Sequence, residues 1–103
     1  MDEAVSSKIE ETVNNNRIVL FMKGSKDFPQ CGFSGRSVQI LQNLGVDFED
    51  VNVLEDNQVR EGIKEFSDWP TIPQLYVDGE FVGGSDIMLE MYQNGELESV
   101  VKG

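Results

Sequence analysis

A single thiol dominates the reactive chemistry available to this chain. Cys31 is its one cysteine, and it has no histidine. The thiol stands in Pro29-Gln30-Cys31-Gly32, a loop rather than an apolar stripe, and loops on a rigid scaffold are where reactive groups are held. A helical pattern begins directly after it. Free N–H groups and the helix dipole at such a start stabilise a thiolate and lower its pKa. Lys23, Lys26 and Arg36 push the same way if folding brings them close. The competing reading is a small buried hydrophobe, the commoner fate of a lone cysteine, and the loop setting weighs against it. One cysteine without histidine excludes an internal disulfide, zinc sites of Cys and His, and Cys-His or Ser-His-Asp catalysis. A lone thiol fits a reducing compartment, the cytoplasm or an organelle interior reached by a transit peptide since removed.

The charges point to a small anionic ligand. Eight Lys and Arg stand against nineteen Asp and Glu, a net charge of -11. A chain devoted to nucleic acid needs a basic face for phosphates, so that class is excluded. Within residues 17–36 the sign reverses, with Arg17, Lys23, Lys26 and Arg36 against Asp27 alone. Arg60 and Lys64 are four apart, hence on one face of a helix. The plainer expectation for them is pairing with Asp56, Glu61 or Glu65, which contributes little at a surface. Gly83-Gly84 permits positive φ or close backbone approach. Ser85 or Asp86 is the expected N-cap of the helix that follows, and a helix start offers N–H donors to a carboxylate.

The elements that must position these residues can be read from periodicity. With 103 residues, one domain over 1–103 is expected. Residues 3–14 carry Val5, Ile9 and Val13 at helical spacing. Ile18 to Met22 is a continuous apolar run, the pattern of a central strand buried on both faces. Val38, Ile40, Leu41 and Leu44 follow Cys31 at helical spacing and stop at Gly45. Phe48, Val51 and Val53 suggest a second strand, and Val59, Ile63 and Phe66 a helix over 57–66. Leu75 to Val82 reads as a hairpin around Asp78-Gly79. Ile87, Leu89, Met91 and Tyr92 mark a last helix ending near Asn94-Gly95, followed by a short helical tail. Strands joined by helices imply parallel pairing, and the hairpin implies an antiparallel pair. The expected fold is α/β, a four-stranded mixed sheet flanked by helices. No apolar run approaches the roughly 20 residues of a membrane span.

Cys31-Gly32-Phe33-Ser34 resembles the signature of the monothiol, CGFS-type glutaredoxins of the thioredoxin-like superfamily. The resemblance extends to Lys23-Gly24, residues 59–66, Trp69-Pro70-Thr71-Ile72-Pro73 and Gly83-Gly84-Ser85-Asp86, and so covers nearly the whole chain. It implies a thioredoxin-like fold with Cys31 as the reactive thiol. It also implies a glutathione site built from Lys23, Arg60, Lys64, Thr71, Ile72, Pro73, Gly84, Ser85 and Asp86. Lys23, Arg60 and Lys64 then hold glutathione's carboxylates, Asp86 meets its γ-glutamyl amine, and Ile72-Pro73 forms a cis-proline turn. Ser34 replaces the second cysteine of dithiol relatives and cannot resolve a mixed disulfide, so an external thiol such as glutathione must.

The resemblance further implies a labile 2Fe-2S cluster, with Gly32, Phe33 and Ser34 around it. Such a cluster commonly has four thiolate ligands. Cys31 from each of two chains and two glutathione thiols supply four. The expectation is a homodimer when cluster-bound, a monomer when apo, and a cluster carrier with BolA-like and iron-sulfur acceptor partners. The alternative is a glutathione-dependent thiol-disulfide oxidoreductase with Cys31 as nucleophile. The long loop over residues 24–30, with Gln30 where oxidoreductase relatives carry Tyr, favours the carrier.

Overall fold

The computed structural model describes residues 1–103. In chain order it holds α1 (Glu3–Asn15), β1 (Ile18–Met22), α2 (Gly32–Asn43), β2 (Glu49–Asn52), α3 (Asn57–Ser67), β3 (Gln74–Val77), β4 (Glu80–Gly83), α4 (Ser85–Asn94) and α5 (Glu96–Lys102). The strands form one mixed sheet in the order β2-β1-β3-β4.

The apolar run of β1 explains the layering. All five of its residues are buried, and alternate side chains face opposite sides of the sheet. Ile18, Leu20 and Met22 join Val38, Leu41, Leu75, Met88 and Leu97 in one core. Val19 and Phe21 join Val5, Ile9, Val59, Ile63 and Tyr76 in the other. The first core lies under α2, α4 and α5, the second under α1 and α3. Each fully buried aliphatic or aromatic side chain contributes about 1.5–3 kcal/mol, so the sheet is held from both faces. Tyr76 packs against Phe21, Phe66 and Phe81 at centroid distances of 5.5–6.1 Å. Burial pushes its phenol up to about 12, against a smaller opposing effect of Ser67.

Two expectations about connectivity and capping are corrected. β1 and β2 are parallel, as a helical crossover requires. However, β3 follows a helix and is antiparallel to β1. The register gives the reason. Asn52 at the end of β2 pairs with Met22, and Gln74 at the start of β3 pairs with Phe21. The chain therefore leaves and re-enters the sheet at the same end, unlike a crossover. The N-cap of α4 is Gly84, with no side-chain hydrogen bond, and Ser85 and Asp86 are its first two residues. Their side chains are drawn instead toward α2. The hairpin turn at Asp78-Gly79 has φ of +53° and +80°, the pair of left-handed residues that suits right-twisted strands.

Candidate functional site

The register brings the chemical residues to one end of the sheet. Lys23 follows β1, Pro73 precedes β3, and Gly83 at the end of β4 pairs beside Leu75. A cleft of about 380 Å³ opens there. Its wall includes Lys23, Arg60 and Lys64, then Thr71, Ile72 and Pro73, then Gly84, Ser85 and Asp86. All nine residues expected to hold glutathione thus line one cleft. The Ile72-Pro73 bond is cis, as the turn resemblance implies. Gly83 has φ +157°, and a Cβ on Gly84 would lie 3.4 Å from both the Pro73 carbonyl oxygen and Trp69 Nε1. Glycine is required at Gly83, where a Cβ would also lie 2.7 Å from the Ile87 side chain, while a Cβ on Gly84 would only just touch the turn.

Cys31 lies beside the cleft and is not part of its wall. It is the N-cap of α2, and its Sγ accepts from the Ser34 backbone N–H at 3.4 Å. Ser34 is fully buried. Its Oγ accepts from the Lys23 backbone N–H at 3.0 Å and stands 3.5 Å from Cys31 Sγ. With Oγ already accepting, the hydroxyl proton is free to point at a thiolate. Partial burial pushes the thiol up. The Ser34 backbone and hydroxyl, the Phe33 backbone N–H and the Lys23 charge outweigh it, so Cys31 lies below the ordinary cysteine range. Ser34 is therefore both the helix-start hydroxyl and the support of the thiolate.

Of the three cations expected to act on the thiol, only Lys23 does. Lys26 turns away. Its backbone N–H donates to Asp50 at 2.7 Å, and its ammonium lies 4.4 Å from the centroid of the Phe48 ring. Arg36 reaches Asp86 at 2.7 Å. The loop before Cys31 is closed on itself. The Gln30 N–H donates to the Lys23 carbonyl at 2.9 Å, and the Gly24 N–H to Asn52 Oδ1 at 3.0 Å.

The ion pairs divide the cleft cations. Lys64 bonds Glu61 at 3.0 Å, as the plainer expectation has it. Asp56 pairs with Lys8, and Glu65 with the chain amino group. Lys23 and Arg60 take part in no ion pair, and so are available to an anion. Gly32 is open, since a Cβ there would meet nothing within 4 Å. Phe33 is 60% exposed and lines the cleft.

Four residues matter that sequence reasoning did not place in the site. Trp69 and Pro70 line the cleft, and Trp69 packs at 6.1 Å from Phe81. Their motif was the available signal. Ile87 also lines it, although its spacing suggested the core. The buried residue of that turn is Met88. Gln74 is fully buried, and its Nε2 donates to the Trp69 and Thr71 carbonyls at 3.1 Å each. A polar residue opening an apolar strand was its only signal.

The glutaredoxin family model matches residues 18–82. An uncharacterized monothiol glutaredoxin of Synechocystis sp. is 56% identical over 102 residues, covering 99% of this chain and 95% of that one. The chain belongs to the monothiol glutaredoxin family. The solution structure of reduced apo GrxS14 from poplar matches this glutaredoxin with a TM-score of 0.85 at 54% identity, over 95% of this chain and 90% of that one. A buckwheat glutaredoxin solved as a glutathione complex gives a TM-score of 0.87 at 20% identity, over 97% and 89% of the two chains, a likeness of fold. The fold is thioredoxin-like, and no helix of this glutaredoxin is long and apolar enough to cross a membrane.

Proposed function

We propose that this monothiol glutaredoxin, a single domain over 1–103, binds glutathione and carries a labile 2Fe-2S cluster between two copies of the chain. Glutathione's carboxylates meet Lys23, Arg60 and Lys64 at one end of the cleft and the α4 start at the other. Its backbone runs along Thr71, Ile72 and Pro73, with Gly84 leaving room and Ser85 and Asp86 holding the γ-glutamyl head. A buckwheat glutaredoxin of the same fold is a glutathione complex, which supports this reading.

The observation that carries the cluster reading is Cys31 itself. It is partly accessible, held toward the thiolate and open on the Gly32 side. A thiolate is the ligand such clusters take. The chain has one cysteine and no histidine, so one copy supplies one thiolate of four. Two Cys31 thiolates and two glutathione thiols complete the set in a homodimer, and the apo chain is a monomer. When bound, the cluster is cargo, passed to iron-sulfur acceptor proteins. A BolA-like partner supplies the histidine this chain lacks and makes a mixed dimer. Gly32 and Phe33 border the cargo and Ser34 steadies its ligand. The setting is a reducing compartment, the cytoplasm or an organelle interior, with neither nucleic acid nor membrane as partner.

The lowered thiol favours a second reading, glutathione-dependent oxidoreduction. Cys31 thiolate attacks the glutathione sulfur of a mixed disulfide, forming a Cys31–glutathione disulfide and releasing the target thiolate. A second glutathione thiolate then attacks, giving oxidised glutathione and free Cys31.

Anaerobic reconstitution with iron, sulfide and glutathione separates the two. A brown dimer that becomes a colourless monomer on removal of glutathione, and does not form with Cys31→Ser, is expected. A colourless monomer under all conditions overturns the carrier reading and leaves the oxidoreductase.

A further inference from the structure

Arg36 lies in the second turn of α2 and reaches the first turn of α4. Its Nε donates to Ser85 Oγ at 2.9 Å and its Nη2 to Asp86 Oδ1 at 2.7 Å. The guanidinium carbon stands 5.7 Å from the Phe33 ring centroid. Phe33, Ser85 and Asp86 line the cleft, whereas Arg36 does not. Asp86 is the only acid in that wall, and its side chain is 91% exposed. Nothing caps the α4 amides through a side chain. A bare carboxylate beside those amides would repel any anion approaching them, and the dipole of a helix start favours anions there.

We propose that Arg36 is a positioning residue that sets which charge pattern the α4 end of the cleft accepts. This rests on the reading that glutathione occupies the cleft. By pairing with Oδ1, Arg36 offsets the Asp86 charge and lets a ligand carboxylate dock on the α4 amides. Asp86 Oδ2 makes no hydrogen bond within the chain and stays available to an ammonium. The head group so favoured is zwitterionic, an α-amino acid, over a bare ammonium. Arg36 is not among the groups that shift the Cys31 thiol, and its guanidinium is engaged with Ser85 and Asp86 instead, so this preference is separate from thiol chemistry.

The test is a nuclear magnetic resonance titration of the apo protein with two probes. One is S-methylglutathione. The other replaces its γ-glutamyl unit by 4-aminobutyryl, which keeps the ammonium and lacks the carboxylate. The native protein prefers the first. Arg36→Met keeps an apolar stem over Phe33 and removes the charge. It is expected to cut that preference by about fivefold, the scale of an interaction between part-exposed charges. Arg36→Lys is expected to restore most of it. The pH profile of Cys31 alkylation should stay where it is in both. An unchanged preference in Arg36→Met, or equal weakening of both probes with no rescue by Lys, overturns the proposal. If the native protein binds neither probe, the glutathione reading itself fails and this inference falls with it.

Discussion

Cys31 and Ser34 form a closed pair at the start of α2. The Ser34 N–H donates to Cys31 Sγ at 3.4 Å, and its hydroxyl oxygen stands 3.5 Å from the same sulfur while accepting from Lys23 at 3.0 Å. The residue that fills the place of a second thiol is thus a support for the first. Ser34→Ala removes the hydroxyl and leaves the backbone donor. Its thiol should titrate higher, and iodoacetamide should react several-fold more slowly at neutral pH. An alkylation profile that coincides with the native one would show that the hydroxyl has no part in holding the thiolate.

The same lowered thiol makes folding stability depend on pH. Cys31 lies lower folded than unfolded, and an unfolded thiol titrates at about 8.5. The unfolded chain therefore binds more protons in the interval between, and stability rises with pH there. The contribution is fully present above the unfolded value and is lost as pH falls through the folded one. Denaturant unfolding from pH 6 to 9 should show the native protein gaining on Cys31→Ala as pH rises. A constant difference between the two would refute this.

Gln74 holds the cleft wall from inside the sheet. Gln74→Leu keeps the bulk and strands the carbonyls of Trp69 and Thr71. The cost should be about 1–3 kcal/mol for buried groups left unsatisfied. Glutathione affinity should fall as well, because Thr71 and Ile72 are the wall it steadies. Urea unfolding measures the first effect and titration with S-methylglutathione the second. Loss of stability with unaltered binding would separate the wall from the site.

The cleft cations should not be equivalent. Lys23 and Arg60 are unpaired, whereas Lys64 is already bonded to Glu61. Lys23→Met and Arg60→Met should each weaken glutathione binding by up to about fivefold, with a salt dependence that fades in the variants. Lys64→Met should do less. A larger effect from Lys64 would mean that the ligand displaces Glu61.

Most of the cleft wall was legible because its residues sit in compact motifs at element ends, with Arg60 and Lys64 inside α3 marked by their helical spacing. Lys23, Thr71 to Pro73 and Gly84 to Asp86 all line the cleft. Long-range partners were not legible. Nothing local tells Lys26 to turn to Asp50 and Phe48, or Arg36 to reach across fifty residues to Asp86. The position of Ile87 failed for a related reason. A helical stripe shows which face is apolar, but the outermost turn of that face can line a cleft rather than the core.

The sequence by itself determined the chemistry and the elements. One thiol without histidine limits what can be catalysed or ligated, and the apolar periodicities mark nearly every helix and strand. Tertiary structure alone decided the direction of β3, the capping of α4 by Gly84 and the pairing of Arg36 with Asp86. These depend on which end of the sheet the chain re-enters, which is set by packing two cores on opposite faces of β1. Side-chain partners far apart in sequence meet only once that packing fixes the distances between them.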